Sequence, residues 1–215
     1  RYAYSGDGLI LLQFVIETAF GIDIGQDMTA RIFKPLGMAN TNMMWRADFA
    51  KNLADGFDIN GNVEPHDERS KPRAAGSMDT TIEDMAKFAA AYVSGQGLSA
   101  ASRAELVKPQ IAIATKTQFP TLQDELPAAQ RRKDLASGLG VIVFEGPQRR
   151  GFYKGGHNDT TGNSWVCIEA SKRCVVILSN DVRSEAAFPA LVKQALGGTG
   201  VPYDWEYGDM KMWKP

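Results

Sequence analysis

The strongest constraint on the fold lies between residues 138 and 179, where short apolar segments alternate with turn residues. Four segments are rich in Val, Ile, Phe and Trp, and they cover residues 139–144, 151–155, 164–169 and 174–179. Gly, Asn, Ser and Lys residues separate these segments from one another. Short β-branched and aromatic runs bounded in this way are typical of strands. The pattern therefore predicts four consecutive strands in an antiparallel meander.

Helical patterns come before and after this region. Leu9, Leu12, Ile16 and Phe20 recur three or four residues apart and predict a helix over residues 9–20, ended by Gly21. Four more helices are predicted, over residues 27–33, 80–92, 102–108 and 185–196. Thr80 and Glu83 form a capping box for the second of these, and Ser102 caps the third. Pro189 lies inside the last one. Helices first, then a meander and a closing helix, indicate an α+β fold and not an alternating βαβ fold.

The 215 residues suffice for a single domain. We divide it into a mostly helical and loop region at 1–137, strands and closing helix at 138–197, and a tail at 198–215 that shows no period. Lys and Arg number 24 against 25 Asp and Glu, a net charge of −1 that excludes the clustered positive field of a nucleic-acid-binding protein. No apolar run approaches the roughly 20 residues that span a bilayer, so no transmembrane segment is predicted.

The two cysteines, Cys167 and Cys174, flank a predicted hairpin turn at residues 170–173. A cross-strand disulfide needs α-carbons roughly 4.4–6.8 Å apart, which only one of the plausible registers would give. We therefore expect two free, packed thiols. Two histidines 91 positions apart supply too few ligands for a zinc site, so no metal is predicted.

Two segments are candidates for chemistry. Tyr4, Ser5 and Gly6 lie directly ahead of the first helix, where a tyrosine hydroxyl can relay a proton if a cation lies nearby. The commoner role of such a tyrosine is to pack on the start of the helix.

The second segment follows a predicted strand and consists of Lys154, Gly155, Gly156, His157 and Asn158. Two residues without side chains leave backbone N–H groups open to a carboxylate or an oxyanion. On spacing alone, a solvated lysine beside a glycine turn is the more common arrangement.

Taken in order, these segments resemble one family. Residues 4–17 are similar to its Tyr-x-Asn segment and the following helix. Residues 32–41 (IFKPLGMANT) and 74–88 (AAGSMDTTIEDMAKF) are similar to two further stretches of the family, and residues 152–157 resemble its strand with a Lys-Thr-Gly or His-x-Gly motif. The chain up to about Leu196 thus looks like the C-terminal two-thirds of a serine β-lactamase-like hydrolase, a family that includes class C β-lactamases, D-alanyl-D-alanine peptidases and related esterases.

The resemblance implies a β-lactamase/transpeptidase-like fold, an antiparallel sheet with helices, whose N-terminal part is missing here. It also implies hydrolysis of a β-lactam, a D-Ala peptide or an ester through a covalent serine ester, without a cofactor. Tyr4 and Lys154 would be catalytic, as proton relay and positive charge. A small-molecule or peptide substrate would contact the remaining candidates, which are Ser5, Gly6, Gly155, Gly156, His157 and Asn158.

Three departures from the family pattern leave alternatives open. Gly6 replaces the Asn of class C enzymes, and Gly155 replaces the usual Thr or Ser. A competing register puts His157 in the place of the motif's lysine, followed by Asn158 and Asp159; we prefer Lys154.

The third departure is that no lysine in the chain has a serine three residues before it, so the family's Ser-x-x-Lys nucleophile is absent. The chain also begins at Arg1 without an initiator Met. We expect a C-terminal piece of a longer protein that is inactive alone and self-associates through exposed core surface. The alternative is a non-catalytic, penicillin-binding-like homologue that binds a ligand or partner. Relatives that act on cell walls predict a periplasmic or other extracytoplasmic location in a bacterium, while the esterases leave a cytoplasmic one open.

Overall fold

The predicted meander is present in a computed structural model that describes residues 1–208, and it belongs to a larger sheet than the sequence indicated. The strands are β1 (Gly56–Phe57), β2 (Val63–Glu64), β3 (Ile111–Ala112), β4 (Leu135–Ser137), β5 (Ile142–Gly146), β6 (Arg149–His157), β7 (Gly162–Ile168) and β8 (Arg173–Ser179). Strands β3 to β8 form one antiparallel sheet in chain order, and β1 pairs with β2 separately. The four predicted strands became β5 to β8. The sequence did not reveal β1 to β4, because two or three residues are too few to show alternation.

Residues 1–208 contain six α-helices: α1 (Gly6–Phe20), α2 (Ile24–Met28), α3 (Ile82–Ser94), α4 (Ala100–Leu106), α5 (Phe188–Leu196) and α6 (Tyr203–Tyr207). A π-helical turn, Thr29–Phe33, continues α2.

Two predicted helix caps were wrong by one and three residues. Thr81, not Thr80, caps α3 by accepting the N–H of Asp84, and Ser99, not Ser102, caps α4. Pro189 lies in the first turn of α5, where its missing N–H breaks no helical hydrogen bond. The predicted last helix is therefore a 3₁₀ helix, Val182–Ala187, followed by α5.

The sheet has a packed core on each face, because side chains alternate between the two faces along a strand. Phe144, Tyr153 and Val166 lie in the core that α5 and α6 cover. Val143, Phe152 and Trp165 lie in the other core, with Ala89 and Val93 of α3. The α+β architecture expected from the sequence is therefore a sheet between helices.

Part of the tail assigned to residues 198–215 belongs to the main core. Tyr203, Trp205 and Tyr207 of α6 are buried, and Trp205 is only 1% exposed. The indole N–H of Trp205 donates to Thr115 at 3.3 Å. The tail over residues 198–215, in which the sequence shows no period, therefore contains helix α6 and part of the main core within residues 198–208; residues 209–215 lie outside the described part of the chain.

The expectation of two free thiols was also wrong. β7 and β8 pair in the register that places Cys167 directly opposite Cys174, with α-carbons 4.1 Å apart, and the two sulfurs are bonded. The choice of register, which the sequence left open, decided the pairing.

Helix α1 packs little within the described residues. None of its side chains is buried, and Leu11, Phe14 and Phe20 are each more than 60% exposed. No single helix within residues 1–208 has the length and apolar character to cross a bilayer. Only as a pair, bent by 88°, do α1 and the stretch Ile24–Phe33 satisfy that length and composition.

Candidate functional site

The end of β6 is the structural centre of the site. β5 pairs with β6 only as far as Tyr153, whereas β7 pairs with β6 through His157. Residues 154–157 therefore have a strand neighbour on one side, and no other strand of the described residues 1–208 pairs with them. Backbone groups on an open strand edge can bind an extended ligand, as the glycines in this segment led us to expect.

Two predicted catalytic residues meet at this open end. Tyr4 precedes α1, is half-buried and contacts the ring of Phe119 edge-on, with centroids 5.8 Å apart. The Nζ of Lys154 lies 5.3 Å from the centroid of the Tyr4 ring and donates a hydrogen bond to the carbonyl oxygen of Gly155. Burial lowers the pKa of Lys154, while the negative charge of Glu206 opposes that shift. A partly desolvated cation thus lies beside a tyrosine.

Ser5 and Gly6, which we predicted to bind substrate, form the beginning of α1. The Oγ of Ser5 accepts the N–H of Gly8 at 2.9 Å and so caps the helix. A Cβ added at Gly6 would meet only Ala75, at an ordinary contact distance of 3.8 Å. A larger residue would therefore fit at position 6, and packing does not require glycine there.

His157 and Asn158, the last two candidates, have partners of their own. The Nδ1 of His157 is 3.0 Å from the Oε2 of Glu185, and this hydrogen bond raises the pKa of His157. The Oδ1 of Asn158 accepts backbone N–H groups of Thr160 and Thr161 at 2.9 and 2.6 Å. The side-chain oxygen of Asn158 thus stabilises its own turn.

Glu206 is a site residue that the sequence did not reveal. Its Oε1 lies 1.8 Å from the position that a Cβ on Gly155 would take, so a side chain at position 155 would collide with it. Its Oε2 is buried and has no hydrogen-bond partner within residues 1–208. Burial raises the pKa of Glu206 to about 7, against the opposing charge of Lys154. In the sequence, the alternation of aromatic and acidic residues at 203–207 was the signal from which a buried glutamate could have been predicted.

Glu185 is the second missed residue. Its side chain is fully buried and its Oε1 accepts the hydroxyl of Tyr207 at 3.3 Å. A Cβ at Gly162 would lie 2.3 Å from its Cγ, so the glycine leaves room for this carboxylate under the sheet. In the sequence, Glu185 looked like an ordinary residue of the closing helix.

An open cleft of about 500 Å³ adjoins His157. Three carboxylates line it, together with apolar and amide groups; the lining residues are Asp58, Ile59, Glu64, His157, Asn158, Asp159 and Val182. Within residues 1–208, no three His, Cys, Asp or Glu side chains are grouped as a metal ion would need.

Comparison with known proteins gives relatives that cover most of the chain. The chain is 34% identical over 159 residues to the unguisins hydrolase ungD′ of Aspergillus campestris, which covers 67% of this chain but 28% of that protein.

Solved structures show the same fold at low identity. The penicillin-binding protein of Bacillus halodurans superposes with a TM-score of 0.66 at 21% identity, over 89% of this chain and 56% of that one. The octameric penicillin-binding protein homologue of Pyrococcus abyssi gives 0.65 at 18% identity, over 91% and 44%. A class C β-lactamase gives 0.64 at 15% identity, over 83% and 52%.

The chain therefore spans about half the length of these structural relatives and less of the curated one. The structural likeness confirms the β-lactamase/transpeptidase-like fold. The family model described as beta-lactamase matches residues 1–208, and this chain belongs to the beta-lactamase family.

Proposed function

We propose that the full-length protein is a serine hydrolase that acts through an acyl-enzyme, and that this chain supplies part of its active site. The observation that carries the proposal is the placement of Lys154 beside Tyr4 at the open end of β6. Proton relay by a tyrosine needs a positive charge close by, and the ammonium group of Lys154 lies over the Tyr4 ring. Membership of the family and the hydrolase relative support hydrolysis as the reaction class.

The proposed reaction has two steps. A serine outside this chain attacks the carbonyl carbon of a β-lactam, peptide or ester, its proton passes by way of Tyr4 to the leaving group, and the bond to that group breaks. Water then attacks the serine ester, which releases the acid and restores the serine hydroxyl. Backbone N–H groups beside Gly156 and His157 would stabilise the oxyanion, and one such donor typically contributes about 2.7–4 kcal/mol to the barrier reduction.

The nucleophile can be tested directly by mass spectrometry. The full-length protein is incubated with a fluorophosphonate and, separately, with a penicillin, and its intact mass is measured. We expect one fluorophosphonate adduct, on a serine outside this chain. An adduct with penicillin as well would indicate β-lactam recognition, and one with the fluorophosphonate alone would indicate an esterase-like enzyme. Folded protein that gives neither adduct would contradict the proposal.

The role of Tyr4 has its own test. We expect Tyr4→Phe to lower kcat by about 10²-fold or more, because it removes a proton-transfer group, while the melting temperature changes little. Tyr92→Phe is the matched control, since its hydroxyl donates to the carbonyl oxygen of Leu139 and not to a group of the site. Unchanged turnover in Tyr4→Phe would rule out the assignment.

A second candidate function is a non-catalytic homologue that binds a ligand in the same groove. It is favoured by Gly6 and Gly155, which replace side chains used by the catalytic relatives. This alternative predicts saturable binding of a penicillin or peptide, measured by calorimetry, without a covalent adduct.

Two further proposals concern partners and location. We infer that the chain by itself associates through the exposed apolar side chains of α1, because an exposed apolar face usually marks a contact surface. An extracytoplasmic location is a prediction that fractionation of the source cells would test.

A further inference from the structure

Two buried glutamates lie at the open end of β6. Glu185 accepts a hydrogen bond from His157, and the two side-chain atoms are 3.0 Å apart. Glu206 lies against Gly155, the neighbour of Lys154 in the chain. The positive charge of His157 is therefore matched by a carboxylate of the protein, and a second buried carboxyl group lies beneath the strand at Gly155.

The position of Glu206 also removes a hydroxyl from the site. Because its Oε1 lies 1.8 Å from where a Cβ of residue 155 would be, threonine or serine cannot stand at position 155 while Glu206 stays in place. Gly155 and Glu206 are therefore a matched pair. A hydroxyl that would donate to an anionic substrate group is replaced by a buried carboxyl group, whose Oε2 finds no partner within residues 1–208.

The cleft next to His157 is also lined by carboxylates. Asp58, Glu64 and Asp159 line it, with His157 as the single cationic type among its lining residues. An anionic ligand group would thus approach carboxylates both in the cleft and beneath the strand. Because like charges repel, these carboxylates disfavour the binding of an anionic group, and burying an anion without a partner costs free energy.

We propose that Glu206 and Glu185 make this site select acyl substrates that carry no carboxylate next to the scissile bond, such as neutral esters or amides. The proposal rests on the serine-hydrolase function proposed above and names its substrate class. An uncharged leaving group would leave the pair of His157 and Glu185 intact. A carboxylate there would compete with Glu185 for His157 and would approach the carboxyl group of Glu206 at Gly155.

A matched pair of thioesters tests this preference in the full-length enzyme. The two compounds share one acyl group; one has a thioglycolate leaving group and the other its uncharged thioglycolamide. We expect the wild-type kcat/KM to be at least tenfold higher for the thioglycolamide, at equal intrinsic reactivity measured with hydroxide.

Variants assign the preference to the glutamates. Glu206→Gln and Glu185→Gln each remove one counter-charge at nearly constant volume, and each should raise the relative kcat/KM for the thioglycolate several-fold, mainly by lowering its KM. Asp204→Asn is the control, because Asp204 lies on the same helix but its exposed carboxylate binds Arg132 at the surface. It should leave the ratio unchanged.

The outcomes separate this inference from the function on which it rests. Equal rates for the two thioesters, or a preference for the thioglycolate, in an active enzyme would overturn the inference and leave the serine-hydrolase function standing. The absence of both hydrolysis and a fluorophosphonate adduct would overturn the function itself. If a glutamine variant fails to fold, as judged by circular dichroism, the wild-type ratio still decides the question.

Discussion

At the scale of single residues, two buried glutamates define the local chemistry of the site. Glu206 and Glu185 lie beneath the open end of β6, in space that Gly155 and Gly162 leave free. With the two glutamates in their present places, only glycine fits at these positions, because a Cβ would come within 1.8 and 2.3 Å of the glutamate side chains. The family usually has Thr or Ser where this chain has Gly155, and Glu206 occupies the space that such a side chain would need.

The raised pKa of Glu206 predicts a pH-dependent stability. Its pKa is about 7 in the folded protein and 4.5 in an ordinary glutamate, so between these values the folded state holds a proton that the unfolded chain releases. This contribution to stability is present at low pH and is lost as the pH rises through about 7. Glu206→Gln should therefore gain stability over the wild type, by about 2–3 kcal/mol between pH 5 and pH 8. Urea denaturation at both pH values measures this gain, and a constant difference would contradict it.

Substitutions can show whether Lys154 or His157 occupies the position of the motif's lysine. Lys154 contacts Tyr4, whereas His157 contacts Glu185. We expect Lys154→Met to lower kcat by about 10²-fold and His157→Gln to have a smaller effect, since only the lysine is placed to assist Tyr4. Steady-state kinetics of both variants decides between them, and the opposite order would assign the motif position to His157.

At the scale of elements, α6 shows how tertiary packing overrides a weak sequence pattern. Five residues cannot form a stable helix alone, yet α6 inserts Tyr203, Trp205 and Tyr207 into the core beneath the sheet. The same helix carries Glu206 to Gly155. An element that looked like a terminal tail therefore both completes the core and shapes the site.

Substitution of the α6 core should reveal this role. Trp205→Ala removes an almost fully buried side chain and is expected to destabilise the protein by about 3–5 kcal/mol. Asp204→Ala, an exposed neighbour, should change stability by less than about 1 kcal/mol. Chemical denaturation of the full-length protein compares them; similar midpoints for both variants would mean that α6 is not part of the core.

At the scale of the whole molecule, the described residues leave much of the apolar surface of α1 exposed. Leu11 and Phe14 lie three positions apart on the helix, and both are more than 60% exposed. A contiguous apolar surface of this kind usually contacts another protein segment or a second copy.

For the printed chain expressed by itself, we expect concentration-dependent association in sedimentation-velocity experiments. Leu11→Glu combined with Phe14→Lys should shift the distribution towards monomer. Leu122→Glu, at a side chain that is 77% exposed but distant in sequence from α1, is the control and should not. A clean wild-type monomer at all concentrations would show that the α1 face does not drive assembly.

The sequence by itself determined the fold class and four strands, because periodicity and turn residues are local signals, and its motifs carried the resemblance to the family. It also identified Tyr4 and Lys154 as candidates. Only the tertiary structure decided the register that bonds Cys167 to Cys174, and the approach of Glu206 to Gly155. Strand register and contacts between residues some fifty positions apart depend on how the whole chain packs, and no local pattern carries that information.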